Sequence, residues 1–309
     1  MLRVVFMGNP DLALPTIKLI QSSNHRIVGV VSNNLKPLGR GRKLQKTAVG
    51  EYAEEQNLKL IMPKSLNDEN FLVSIKKLRP DIFVIVAYKI LPARIIKIPK
   101  YGAINLHASL LPKYRGAAPI QWALMNGDKK TGVTIFQISK QVDTGDILLR
   151  KEMEIKPQDD YLSLGRRLCE MGSEMVVDTL NRINNNQIKA IPQDSLLATS
   201  APKISKDMLL INWTWSAKKI HNWIRGLSPY PGMYTIIRNK RLRIFRSEIK
   251  NKRLKSKPGT IIDCSSDFLI ATGKGAISIL DLQIEGKTKM SAKLFLRGFN
   301  LCEGHLVGK

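Results

Sequence analysis

The run Gly102-Ala103-Ile104-Asn105-Leu106-His107-Ala108-Ser109-Leu110-Leu111-Pro112 decides how the first half of the chain is read. It opens as a short apolar strand and carries two polar side chains, Asn105 and His107, two positions apart. On an extended strand such residues point to the same side. Pro112 closes the stretch, Arg115-Gly116-Ala117-Ala118-Pro119 follows, and Asp143-Thr144-Gly145-Asp146 lies further on. Singly, these residues have plainer readings. His107 suits a core position, Asn105 a buried hydrogen-bonding role, and Asp143-Thr144-Gly145 a turn. Together they supply an amide, an imidazole and a carboxylate, which is the set an acyl transfer needs. The amide holds a carbonyl oxygen, the imidazole stabilises or shuttles charge, and the carboxylate orients the imidazole and takes a proton. A strand that delivers polar groups where it ends suits an open α/β sheet, whose ligands bind at the carboxyl ends of strands.

The flanking sequence alternates strand and helix. Leu2–Met7, Ile27–Val31, Ile82–Val86 and Thr131–Ile138 read as strands. Asp11 is expected to cap a helix through Leu14, Ile17 and Leu19, and Asn67–Leu78 has helical spacing with an Asn start. Ala118–Asn126 has Pro119 in its first turn and stops at Gly127, and Asp160–Ile183 is a long amphipathic helix. This order predicts an α/β fold with a doubly wound, mostly parallel sheet. A nicotinamide enzyme is disfavoured: the first turn is Gly8-Asn9-Pro10-Asp11 rather than Gly-x-Gly-x-x-Gly, and the second strand ends in Ser32-Asn33-Asn34 without an acidic residue.

Beyond residue 187 the texture changes. Residues 188–206 read as a linker between a catalytic domain, 1–187, and a second domain, 207–309. There a short helix, Ala217–Arg225, ends at Gly226. It is followed by Met233–Ile237, Leu242–Ile249, Gly259–Cys264, Phe268–Thr272 and Ala276–Ile284, short strands that suggest a small β-barrel.

The 309 residues include 50 Lys+Arg against 25 Asp+Glu, a formal charge of +25 that points to a polyanionic partner or an acidic surface. Residues 201–309 hold 21 basic and 7 acidic residues, about twice the excess per residue of the first 200. Arg238–Arg243, Arg246 and Lys250–Lys257 concentrate it, and alternation places Arg241 and Arg243 on one strand face. That density favours phosphate contacts, which position nucleic acid without reading its sequence. Lys36–Leu44 holds four basic residues and two Gly in nine positions, either a solvated flexible loop or a mobile finger for phosphates. Cys169, Cys264 and Cys302 are far apart and fit neither a disulfide framework nor a zinc site. No signal peptide or membrane span is expected, so a cytoplasmic, metal-free, monomeric protein that makes no membrane contact is.

Asn-x-His-x-Ser-Leu-Leu-Pro, followed by Arg-Gly-Ala-Ala-Pro-Ile and Asp-Thr-Gly-Asp-Ile, resembles the 10-formyltetrahydrofolate-dependent formyltransferases, and the resemblance runs nearly from end to end. It implies a Rossmann-like core with Asn105, His107 and Asp143 as catalytic residues, and Ser109, Leu110, Leu111 and Pro112 beside the folate. The second domain would be an oligonucleotide-binding-type (OB-like) barrel, and Ser291–Gly298 is similar to the family's ending. The branch it resembles acts on initiator methionyl-tRNA and carries a basic insertion against the acceptor stem, which implies contacts from Arg40, Arg42 and Lys43. A family member acting on a sugar nucleotide or another small amine is the alternative. In the reaction so implied, Asn105 and a protonated His107 would donate to the tetrahedral oxyanion while Asp143 takes the amine proton. One departure stands out. The family's Ala-Tyr-Gly-x-x-Leu-Pro, which borders the pteridine, is here Ala87-Tyr88-Lys89-Ile90-Leu91-Pro92, one residue shorter and lacking the Gly.

Overall fold

The computed structural model describes residues 1–38, 43–250, 255–301 and 303–308, with the backbone alone at 36–38 and 43. The chain separates into two compact units. The first comprises Met1–Pro119, Lys130–Glu154 and Gly165–Ala201; the second comprises Ile120–Lys129, Ile155–Leu164 and Pro202–Lys309.

In chain order the first unit has β1 (Arg3–Gly8), β2 (Arg26–Val31), β3 (Lys36–Leu38), β4 (Lys43–Gln45), β5 (Leu60–Ile61), β6 (Ile82–Val86), β7 (Ala103–His107), β8 (Lys130–Gln137) and β9 (Ile147–Glu154). Seven of these form one sheet in the order β5-β2-β1-β6-β7-β8-β9. Pairing is parallel from β5 to β7 and antiparallel for β7–β8 and β8–β9. β1 and β6 are buried almost throughout, since central strands of a doubly wound sheet have no water-facing side. Across both units, the α-helices among the described residues are α1 (Leu14–Gln21), α2 (Ala48–Glu55), α3 (Glu69–Lys77), α4 (Ala93–Ile96), α5 (Pro119–Asn126), α6 (Tyr161–Asn184), α7 (Ala217–Gly226) and α8 (Ala292–Gly298). Gly172 lets α6 lie close on the sheet: a Cβ there would meet Leu106 Cδ1 at 2.7 Å and Val133 Cγ1 at 3.1 Å.

Several expectations are corrected in detail. Asp11 lies in a 3-10 turn, where its carboxylate accepts from the Leu12 N–H, and does not cap α1, which starts at Leu14 with Pro15 in its first turn. α3 is capped by Asp68, whose carboxylate accepts from the Asn70 N–H, and not by Asn67. Lys36–Leu44 is not wholly a loop, because its ends form β3 and the start of β4, which pair antiparallel. β9 escapes the sequence reading because it is an edge strand whose outer half, Arg150–Glu154, is mostly polar and exposed. Residues 188–206 do not form a free linker. Ile191 exchanges both backbone hydrogen bonds with Ile147, and Thr199 and Ala201 bond to Arg115.

The second unit holds an antiparallel sheet of β10 (Met233–Ile237), β11 (Lys240–Lys250), β12 (Ile261–Asp263), β13 (Leu269–Ala271), β14 (Ala276–Ile284) and β15 (Met290–Ser291). Its path is β10-β11-β14-β13-β12, with β15 beside β14. Leu242, Ile244, Ile277, Ile279, Phe268 and Phe295 belong to its buried core. The end of the chain joins the two edges. The Val307 N–H donates to the Gly259 carbonyl beside β12, and the Gly308 N–H donates to Ile236 in β10, both at 2.8–2.9 Å. Closing the hydrogen-bond circuit removes the exposed edges that an open sheet would present.

Removing residues 304–309 deletes these bonds, two more between Ile261 and residues 304 and 305, and the buried Val307 side chain. The expected loss is at least about 3 kcal/mol, from four net hydrogen bonds and one buried valine. A urea midpoint unchanged by the truncation would show that the tail does not seal the barrel.

Candidate active site

Asn105 and His107 alternate on β7, opposite Phe136 and Thr134 of β8, so both project from one sheet face. His107 is the last residue of its strand and is buried. Its Nε2 lies 2.8 Å from the Tyr114 carbonyl oxygen. A carbonyl only accepts, so Nε2 carries the proton and Nδ1 presents its lone pair. Nδ1 lies 3.6 Å from Asp143 Oδ2. The Phe136 ring stands edge-on to the imidazole, with 6.3 Å between centroids.

Asp143 does not arrive by a simple strand end. β8 runs antiparallel to β7, with Gln137 opposite Ile104, so the β8–β9 connection begins near the amino end of β7. The connection folds back to bring Asp143 to His107. Two residues permit this. Asp143 adopts φ +54°, and a Cβ on Gly145 would sit 1.7 Å from the Gln137 carbonyl oxygen, so only glycine allows the close approach. Asp143 Oδ2 also accepts from the Gly116 N–H at 2.8 Å. Gly116 in turn has φ +125° and no room for a Cβ against the Ala201 carbonyl.

Burial pushes the His107 pKa below its usual value. The Asp143 charge and the Tyr114 carbonyl act in the opposite direction. The resting imidazole is therefore neutral near pH 7. It is poised to gain a proton on Nδ1, where the new N–H would face the carboxylate. Asn105, half-buried, makes no side-chain hydrogen bond among the described residues and keeps its amide available.

Of residues 109–112 in the loop after β7, Ser109, Leu111 and Pro112 are buried and Leu110 is half-exposed. Ser109 Oγ donates to the Lys113 carbonyl, and Thr134 Oγ1 receives the Leu111 N–H and donates to the Ser109 carbonyl. This loop can thus offer a ligand its backbone and Leu110 more readily than its other side chains. In the shortened segment after β6, Ala87 takes φ +50° and Ile90 is 75% exposed. The Tyr88 hydroxyl is buried without a partner among the described residues, and burial pushes its pKa up to about 12. A separate cavity of about 640 Å³ opens at the amino end of β7, beside Lys97, Lys100, Tyr101 and Ile104. Alternation puts Ile104 on the opposite face from Asn105 and His107, and the cavity lining carries no carboxylate or imidazole.

Residues 2–180 match the formyl transferase family model, and residues 203–300 match the formyl transferase C-terminal domain. The chain belongs to the formyl transferase family. It is 40% identical over 310 residues to the methionyl-tRNA formyltransferase of Alkaliphilus oremlandii, with all of both chains covered. It is 42% identical to that of Thermodesulfovibrio yellowstonii, with 97% of each covered. Among solved structures it is similar in fold to the N-formyltransferase from Helicobacter canadensis, determined with folinic acid and dTDP-3-aminofucose. That likeness has a TM-score of 0.68 at 21% identity, covering 90% of this chain and 99% of that one.

In this formyl transferase the basic residues fall into two groups. Arg40 and Arg42 lie outside the described residues, and Lys43 opens β4. Arg241 and Arg243 sit on the exposed face of β11, alternating with buried Leu242 and Ile244. The Arg241 guanidinium lies over the Tyr234 ring at 4.3 Å, Arg246 pairs with Asp281, and Lys250 pairs with Glu248. Among the described residues Arg243 makes no ion pair. The sequence reading missed Tyr114, Thr134 and Gln193. Their roles come from backbone carbonyls and loop-to-loop contacts, for which periodicity carries no signal. Among the described residues no three His, Cys, Asp or Glu side chains converge as metal ligands.

The His107 imidazole is expected to titrate below pH 6.5 by NMR, and lower still in Asp143→Asn, where the opposing charge is gone. Because the folded state releases this proton more readily than the unfolded chain, His107 weakens folding as pH drops below about 6.5. A midpoint unchanged or raised in Asp143→Asn would contradict the assigned contact.

Proposed function

We propose that the protein transfers the formyl group of 10-formyltetrahydrofolate to the α-amine of methionine on initiator methionyl-tRNA, giving N-formylmethionyl-tRNA for translation initiation. The observation that carries this reading is the His107–Asp143 contact beside a free Asn105 amide, in a chain that matches relatives named methionyl-tRNA formyltransferase along its whole length. The basic C-terminal unit, with Arg241 and Arg243 exposed on one strand, adds the phosphate-binding surface that an RNA-borne substrate requires.

The acceptor α-amine has a pKa near 7.7–8.0 in model compounds, so about a tenth to a fifth is neutral at pH 7. The neutral amine attacks the formyl carbon, the C=O π pair moves onto oxygen, and the attacking nitrogen becomes cationic. Asn105 donates to that oxyanion. The nitrogen proton passes to the Asp143–His107 pair, where His107 accepts it on Nδ1 and places positive charge beside the oxyanion while Nε2 stays on Tyr114. As the carbonyl re-forms, the bond to the donor nitrogen breaks, and that nitrogen takes the proton. The products are the formamide and tetrahydrofolate. The donor would lie along residues 109–112 and the segment after β6, and no metal is assigned a part.

The deciding assay supplies formyltetrahydrofolate with charged initiator tRNA, charged elongator tRNA or an amino-sugar nucleotide. Formyl-methionine is expected with the initiator. Formylation of the sugar alone would replace this reading with the small-amine one. Asn105→Ala is expected to lower kcat by about 10²–10³-fold, and Asp143→Ala and His107→Ala by orders of magnitude, with tRNA binding retained. Arg243→Ala should weaken tRNA binding and reduce the steepness of its salt dependence.

A further inference from the structure

We infer that Gln193 is a positioning residue for the reaction, holding Asp143 against His107; this rests on the role proposed above for Asp143. The Gln193 carboxamide uses its full bonding capacity on the two loops that meet at the site. Its Nε2 donates to the Asp143 carbonyl at 3.0 Å and to the Gly145 carbonyl at 2.7 Å. Its Oε1 accepts from Arg115 Nε at 3.1 Å and Nη2 at 2.8 Å. Two donors and two lone pairs are all a primary amide has.

The bonded partners are the ones that fix the carboxylate. Asp143 and Gly145 define the folded-back turn, and Arg115 precedes Gly116, whose N–H holds Asp143 Oδ2. Gln193 is itself anchored on both sides. Two residues before it, Ile191 is registered on Ile147 at the start of β9. After it, the Arg115 N–H donates to the Thr199 carbonyl at 2.8 Å and the Ala201 N–H donates to the Arg115 carbonyl at 2.7 Å. The segment is therefore a strap that ties the Asp143 turn to the Arg115-Gly116 loop. A left-handed Asp is held there by neighbours rather than by its own preference.

The test uses the full chain with Gln193→Met, which keeps length but neither donates nor accepts, and Gln193→Glu, which keeps the acceptor for Arg115 but lacks both donors. Since misplacement of about 1 Å can remove a factor of 10² in rate, kcat in both variants is expected to fall by that order while KM for folate and tRNA stays within threefold. The His107 NMR midpoint should move down toward that of Asp143→Asn, because the carboxylate no longer faces Nδ1. A merely structural role would lower the thermal midpoint and leave both kcat per folded molecule and the His107 titration unmoved. Full kcat in Gln193→Glu, or lost kcat with an unmoved His107 midpoint, overturns the inference. Should Asp143→Asn itself retain turnover, the reading of Asp143 falls and takes this inference with it; an inactive Asp143→Asn beside active Gln193 variants sinks the inference alone.

Discussion

The reaction we propose for this chain depends on keeping a carboxylate 3.6 Å from a buried imidazole. Neither group favours the arrangement unaided. Burial penalises a charged imidazole, and a carboxylate nearly out of water needs donors to replace its hydration. Here the Gly116 N–H supplies one donor, and the His107 Nδ1, once protonated, supplies another. The resting pair is thus one proton short of its most favourable bonding. That is the state the proposed transfer requires of a site that receives a proton from an amine.

The sheet alone does not produce this contact. A wholly parallel extension beyond β7 would return each crossover to the far face through a helix. The antiparallel β8 and β9 instead leave a short connection that can turn back over the β7 side chains. Its closeness is set by atoms that are missing. Without a Cβ at Gly145 and Gly116, two backbones approach carbonyl oxygens that any other residue would push away. The central strands β1 and β6, buried and apolar, form the rigid base on which these loops are placed.

Much of this was legible in the chain. Repeated apolar runs separated by helical spacing disclosed the parallel sheet, and the Pro119–Gly127 punctuation disclosed α5. Asn105 and His107 were readable because two residues on one strand obey period two. Asp143 was readable only as a chemical type, since its approach to His107 depends on a loop path that no local pattern encodes. Gln193 was invisible for the same reason. Its partners are backbone carbonyls 48 and 50 residues away and an arginine 78 away, in a stretch whose lack of periodicity looked like slack chain. β9 was missed because an edge strand carries polar residues where a central one carries valine and isoleucine.

An α-amine near its own pKa at neutral pH needs little basicity to lose a proton, so in the proposed reaction a correctly placed carboxylate–imidazole pair suffices. The demanding step is transfer from an amide-like donor, where the developing charge must meet dipoles already in position. This explains why the bonding around the site is concentrated on geometry. Tyr114 fixes the imidazole tautomer, Gly116 fixes one carboxylate oxygen, Thr134 pins the loop after β7, and Gln193 ties the turn to its neighbour. None of these groups performs the chemistry. In the proposed reaction each would remove a motion that separates Asn105, His107 and Asp143 as the carbon becomes tetrahedral, and removing such motions lowers a barrier.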